Sequence, residues 1–346
     1  MKSLARYATT NAITRTMLSE LLTRQDFESI IRTDSLPSAW LALRKTPYGV
    51  WIPEDVPPDI LSIEKTLRQA TAARFKRSIH ALRGKPREVG VILLSRWELD
   101  NLEFALRLWH SRDSSLQHLL IFPSLIHEIP VYDVVEAETL EEIALLLRHT
   151  PYFEPVSGAV KVYREKRSIF FVEVALERDY YRRLLDAVKE LGGSDAAQAA
   201  KIVSAEIDML NLSWLARLVE YYEFSPAEFH QYMIPGPSEI SRRLADSSVT
   251  ADTLREITSG YIGPGAAADR QKVSPLDAIS LIENMVQEMA VDVARKSLGG
   301  YPFSIGCVFA FYLLKRVELR NLHAALSGQV LGREQQEIMD RLYGLR

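Results

Sequence analysis

Along most of this chain apolar residues return every three to four positions, the spacing that lines one face of an α-helix. Three stretches show it plainly: SIEKTLRQATAARFKRSIHAL (62–82), LERDYYRRLLDAVKELGG (176–193) and SPLDAISLIENMVQEMAVDVARKSLGG (274–300), each with glycine at or near its end. A longer helix is predicted from Tyr301 to Gly328, opening after Gly299-Gly300 with Pro302 in its first turn. It would hold about 25 residues and span roughly 37 Å. Shorter helices are expected to stop at Thr46-Pro47-Tyr48 and Thr150-Pro151-Tyr152, because proline disfavours helical backbone in the residue before it. The links IPEDVPPDI (52–60) and GYIGPGAAADRQKVSP (260–275) read as irregular, whereas GAVKVYREKRSIFFVEV (158–174) alternates, is rich in β-branched and aromatic residues, and reads as a short hairpin.

The polar positions inside these stretches repeat. Glu318-Leu319-Arg320-Asn321-Leu322 is echoed by Glu98-Leu99-Asp100-Asn101-Leu102 and Asp208-Met209-Leu210-Asn211-Leu212, and the three asparagines are separated by two equal intervals of 110 residues. Upstream of each lies a tyrosine stop, Tyr48, Tyr152 and, in the weaker form Thr258-Ser259-Gly260-Tyr261, Tyr261, at 53, 59 and 60 residues before its asparagine. An aliphatic-Glu pair forms a third column: Ile63-Glu64, Leu176-Glu177 and Ile282-Glu283. A period this long exceeds that of common solenoids. It predicts three similar helical domains, at 1–112, 113–222 and 223–346, the last ending in a tail helix within EQQEIMDRLYGL.

Length and composition narrow the class further. With 346 residues, 47% of them apolar, the chain can bury real cores, and a net charge of −3 gives no electrostatic reason to expect nucleic acid as a partner. The single cysteine, Cys307, sits in an apolar run and reads as a small core residue. The start, MKSLARYATTNAITR, lacks the apolar centre of a secretory signal, and the longest apolar run, Ile305 to Leu314, is about half of what a membrane span needs.

Among the groups that could carry chemistry, the repeated residues stand out. Each asparagine lies on an apolar stripe: Leu94, Trp97, Asn101, Ala105; Ser204, Ile207, Asn211, Leu215; Leu314, Val317, Asn321, Ala325. Low exposure is therefore predicted, with the amide tying backbone groups of a neighbouring loop in preference to a ligand, since an unpaired buried amide costs roughly 1–3 kcal/mol. The acid one turn earlier, Glu98, Asp208 or Glu318, is placed to join the same network. Phosphate loops, dinucleotide fingerprints, zinc motifs and an Asp-Asp dipeptide are missing from the sequence. The glycine pairs Gly192-Gly193 and Gly299-Gly300 read as helix ends. His110, His118 and His127 share no helical face and read as surface or structural. Tyr180-Tyr181 with Tyr221-Tyr222 reads as packing, and Arg74, Lys76, Arg77, Arg182 and Arg183 as solvated helix faces. No catalytic, cofactor-binding or metal residue is expected.

The C-terminal run YPFSIGCVFAFYLLKRVELRNLHAAL followed by LGREQQEIMDRLYGLR resembles the signature of the C subunit of the V-type/A-type rotary ATPases, homologous to the eukaryotic d subunit. The matching positions are Pro302, Phe303, Ser304, Ile305, Glu318, Asn321 and Leu322; the Thr-Pro-Tyr stops and FVEVALERDYYRRLL (171–185) resemble the same family, so the likeness runs over essentially the whole chain. Trp97 and the Leu-Ile-Phe-Pro-Ser segment at 120–124 depart from it. The resemblance implies an all-α fold of three helical domains around a pseudo-threefold axis, funnel-shaped and without catalysis or cofactor. It implies a place on the cytoplasmic face as adapter between the central stalk and the membrane ring of proteolipid subunits, transmitting torque. The sequence leaves two alternatives open: a free-standing helical scaffold binding soluble proteins, and an all-α enzyme with a deep polar pocket.

Overall fold

The computed structural model describes residues 2–50, 52–113, 125–221, 229–245 and 275–345, and every regular element among them is helical. In chain order these are α1 (Lys2–Ser19), α2 (Arg24–Ile31), α3 (Leu36–Arg44), a 3-10 turn (Pro47–Val50), α4 (Ile60–His80), α5 (Lys85–Ser111), α6 (Val131–Glu136), α7 (Leu140–Leu146), α8 (Phe153–Lys166), α9 (Phe170–Leu191), α10 (Gly193–Tyr221), α11 (Glu239–Leu244), α12 (Pro275–Leu298), α13 (Gly306–Val330) and α14 (Gln335–Met339). Local chemistry starts many of them. Thr23 and Asp26 form a reciprocal capping box on α2, and Ser35, Asp59, Thr139 and Ser238 each accept an N–H of the first turn they precede.

The hairpin expected at 158–174 is absent; α8 and α9 occupy that stretch, packed against each other. Val156 and Ala159 are buried on α8, and along α9 Phe171, Val174, Glu177, Tyr181, Leu184 and Val188 are buried at helical spacing. The chain reverses between the two helices at Arg167, whose φ of 52° is left-handed. A two-stranded ribbon would have had no further sheet to cover its apolar face, and helix packing supplies one.

The longest predicted helix is also displaced: α13 begins at Gly306, not Tyr301, and passes through Gly328 to Val330. Tertiary contacts decide both ends. Ser304 Oγ donates to Gln198 Oε1 at 2.8 Å and the Ile305 N–H to Asp195 Oδ1 at 3.2 Å, so the Pro302–Ile305 turn is pinned to the start of α10 instead of winding into the helix. Gly328 is a notch: a Cβ there would lie 2.7 Å from Cγ1 of Ile338, the buried residue of α14.

The hydrophobic interior divides in two. The larger core runs from α1 (Tyr7, Met17) through α5, α9 and α10 to the first half of α13. At its centre Phe75, Trp97 and Tyr312 join α4, α5 and α13, with Phe75–Trp97 and Trp97–Tyr312 ring centroids 5.3 and 5.6 Å apart. A second core gathers both ends of the chain: Leu22, Phe27, Ile30, Trp40, Leu43, Tyr48 and Leu67 against Leu322, Ala325, Leu326, Ile338 and Leu342.

Candidate functional site

Long helices α5, α10 and α13 each carry the acid and, one turn on, the asparagine. On α5, Glu98 is fully buried and surrounded by donors. Its Oε1 accepts the N–H groups of Ile126 and His127, the latter at 2.8 Å. Its Oε2 lies 2.8 Å from His127 Nδ1 and accepts the hydroxyl of Tyr152 at 3.3 Å. On α13, Glu318 accepts the Leu22 N–H at 2.8 Å, the Tyr48 hydroxyl in a close contact, and Lys315 Nζ at 2.6 Å. Lys315 Nζ also donates to Tyr48 Oη at 2.7 Å and stands 4.2 Å from the centre of the Tyr48 ring.

The two tyrosines are delivered identically. Thr46 Oγ1 donates to Leu43 O and accepts the Tyr48 N–H, at 2.6 and 3.3 Å; Thr150 does the same with Leu147 O and Tyr152 N, at 2.7 and 3.2 Å. Each tyrosine also follows the amide that binds the same acid by the same interval, Leu22 to Tyr48 and Ile126 to Tyr152. On α10, Asp208 Oδ1 accepts Ser238 Oγ at 2.5 Å and Ser241 Oγ at 2.7 Å. Tyr261 and its stop lie outside the described residues.

All three asparagines are buried, at 4%, 0% and 2% exposure for Asn101, Asn211 and Asn321. Asn211 clamps one residue by both backbone groups: Nδ2 donates to Ile234 O and Oδ1 accepts Ile234 N–H, each at 2.8 Å. Asn321 repeats this on Tyr343, at 2.8 and 3.0 Å. Residue and target are 23 and 22 positions apart, so in both cases the amide fixes the chain that leaves the far end of its own helix.

Where α5, α9, α10 and α13 converge, a cavity of about 540 Å³ is lined by charge. Arg96 holds Glu177 with both guanidinium nitrogens, Nη2 to Oε1 at 2.7 Å, and donates to Asp100 Oδ1 at 2.8 Å. Burial would raise the Asp100 carboxyl, but Arg96 and Arg316 overcome it and hold it at about 2. At Glu206, whose Oε2 is buried without a hydrogen-bond donor, burial outweighs the pull of Arg316 and Arg96 and pushes the carboxyl up to about 7. Glu103 is driven well above the ordinary range by burial and by Glu177. The unsatisfied oxygens of Glu103 and Glu206 are sealed from the cavity, so they offer nothing to a ligand there. Among the described residues no three His, Cys, Asp or Glu side chains form a metal site.

His118 and Tyr222 lie outside the described residues, and other sequence candidates find structural places. His127 joins the Glu98 cluster, and Tyr180 and Tyr181 are core residues. Arg74 pairs with Glu20, Lys76 Nζ donates to Leu125 O at 2.6 Å, and Arg182 and Arg183 both meet Asp179. Cys307 is buried, which raises its thiol. Sequence reasoning missed Lys315 and the Arg96 network. Their signals were a lysine inside the apolar run FAFYLLKRVEL, and Arg96, Asp100 and Glu103 spaced along one side of a single helix.

Long helices tied at buried polar joints, with no described helix long and apolar enough to cross a membrane, define an all-helical framework protein. The chain belongs to the ATP synthase (C/AC39) subunit family, whose pattern it matches over residues 10–341. It is similar to the A-type ATP synthase C subunit of Thermococcus kodakarensis, 24% identical over 92% of this chain and 85% of the relative. It is 22% identical to the protein of the same name in Pyrococcus abyssi, over 92% and 85% of the two chains, and in Methanocaldococcus jannaschii, over 99% and 87%.

Proposed function

We propose that this chain is the non-catalytic rotor adapter of a V-type or A-type ATPase, joining the central stalk to the membrane ring of proteolipid subunits on the cytoplasmic face. In this reading the three units, 1–112, 113–222 and 223–346, stand around a pseudo-threefold axis. Torque crosses between stalk and ring through the long helices α5, α10 and α13. The observation that carries the proposal is the family match over nearly the whole chain. The joints support it physically: buried carboxylates held by several donors, and amides clamping backbone, resist sliding between helices, as a close-packed low-compliance spacer requires.

Affinity capture of the tagged full chain from gently solubilised membranes tests this. Stalk and ring proteins are expected to co-elute. A chain that fractionates wholly with cytosol, or elutes alone as a monomer, would refute the adapter and favour a soluble scaffold.

A further inference from the structure

We infer that both chain ends form one module, residues 22–50 and 52–67 with 319–345, that opens as a unit from the rest of the fold, latched by Tyr48, Lys315 and Glu318. Three independent features carry this. First, the module has its own hydrophobic core, distinct from the main one, whereas the segment around Tyr152 (Ile129, Val134, Leu140, Leu147, Val156) is absorbed into the main core. A set of side chains that satisfies itself is what a cooperative local opening needs.

Second, the seam is bridged across 270 and 296 positions of sequence, Tyr48 and Leu22 to Glu318, where the Tyr152–Glu98 contact spans 54. The seam is otherwise crossed by α4 and α13, which run unbroken from the main body into the module, and by Gly344, whose N–H donates to Glu288 Oε1 at 2.8 Å and whose carbonyl accepts from Arg295. Third, this seam alone among the three acid sites carries a lysine one turn before the acid: Lys315 stands where the others have Ser95 and Ala205. Burial lowers the Lys315 ammonium against the opposing pull of Glu318, and the pair is only 5% exposed on each side. A buried ion pair of this kind is switch-like, because it is favourable only while both partners and the tyrosine donor stay in register.

A crevice of about 230 Å³ already lies along the seam, walled by Leu67, Leu322 and Leu326 of the module and by Trp97 and Asp100 of the main body. It shares Arg68, Asp100, Arg316 and Arg320 with the charged cavity at the helix convergence, so opening the module widens the way into that cavity.

Hydrogen exchange followed by mass spectrometry on the isolated full chain tests the inference, and its result does not depend on whether the chain assembles into a rotor. Peptides from 22–50 and 319–345 are expected to exchange together and faster than those of α9, at low urea as well as without it. Tyr48→Phe, which keeps the ring and removes both the hydroxyl's bond to the Glu318 carboxylate and the bond it accepts from Lys315, is expected to raise exchange in both module segments roughly ten- to a hundredfold and leave α9 unchanged. Tyr152→Phe should instead act on the main core and leave 22–50 unchanged. Equal exchange of the module and α9 in the wild type, or a Tyr48→Phe effect spread evenly over both, overturns the proposal; the wild-type comparison decides if the variant does not fold.

Discussion

Replacing Asn211 by alanine removes both ends of the clamp on Ile234 at a position with no solvent access. The Ile234 N–H and C=O lose their 2.8 Å partners, and each orphaned backbone group costs about 1–3 kcal/mol, so the variant should be less stable by about 2–6 kcal/mol. Asn321→Ala makes the same deletion opposite Tyr343, which is only partly buried, and water can replace part of what is lost. Its cost should be about 1–2 kcal/mol. Urea unfolding monitored by circular dichroism reads both as shifts of the midpoint at constant slope. Asn211→Asp adds a control of the same size: it keeps an acceptor for the Ile234 N–H but turns a second oxygen on the Ile234 carbonyl, so it should not rescue. If Asn211→Ala falls within about 0.5 kcal/mol of wild type, or costs less than Asn321→Ala, the asparagines are not joints.

Two further substitutions follow from the same geometry. Glu206 titrates at about 7 against an ordinary 4.5, so between these values the unfolded chain releases a proton that the folded chain keeps. Stability contributed by the neutral acid is complete below 4.5 and is lost as pH rises to about 7, a swing of about 3 kcal/mol at about 1.4 kcal/mol per pH unit. Glu206→Gln should therefore match wild type near pH 4.5 and exceed its stability at pH 8; thermal melts showing the same difference at both pH values would refute the burial argument. Gly49, after the first tyrosine stop, has no room for a side chain, because a Cβ would sit 1.9 Å from the Arg44 carbonyl oxygen. Gly49→Ala should cost about 2 kcal/mol or more in a melt, and a neutral result would show that the turn relaxes freely.

Particular residues show how far sequence reasoning reaches. The helical spacing of α4, α9 and α12, and the burial of three asparagines on apolar stripes, were legible because periodicity records which face of a helix turns inward. The start of α13 was not, since the Gly299-Gly300 break and Pro302 suit a first turn, yet Ser304 and Ile305 are held out of it by Gln198 and Asp195 from another helix. The expected hairpin failed for a related reason. Alternation at 158–174 is ambiguous until it is known what covers the apolar side, and here α8 and α9 cover each other.

By itself the sequence determined that this protein is dominantly helical, that the asparagines on its apolar stripes go inside, and the family to which it belongs. Only the tertiary structure decided what those polar residues meet. A buried carboxylate states its need for donors in its own stretch of chain, but the donors for Glu318 arrive from Leu22 and Tyr48, at the other end of the protein. Such pairings are set by the path of the backbone through space, which local spacing does not record.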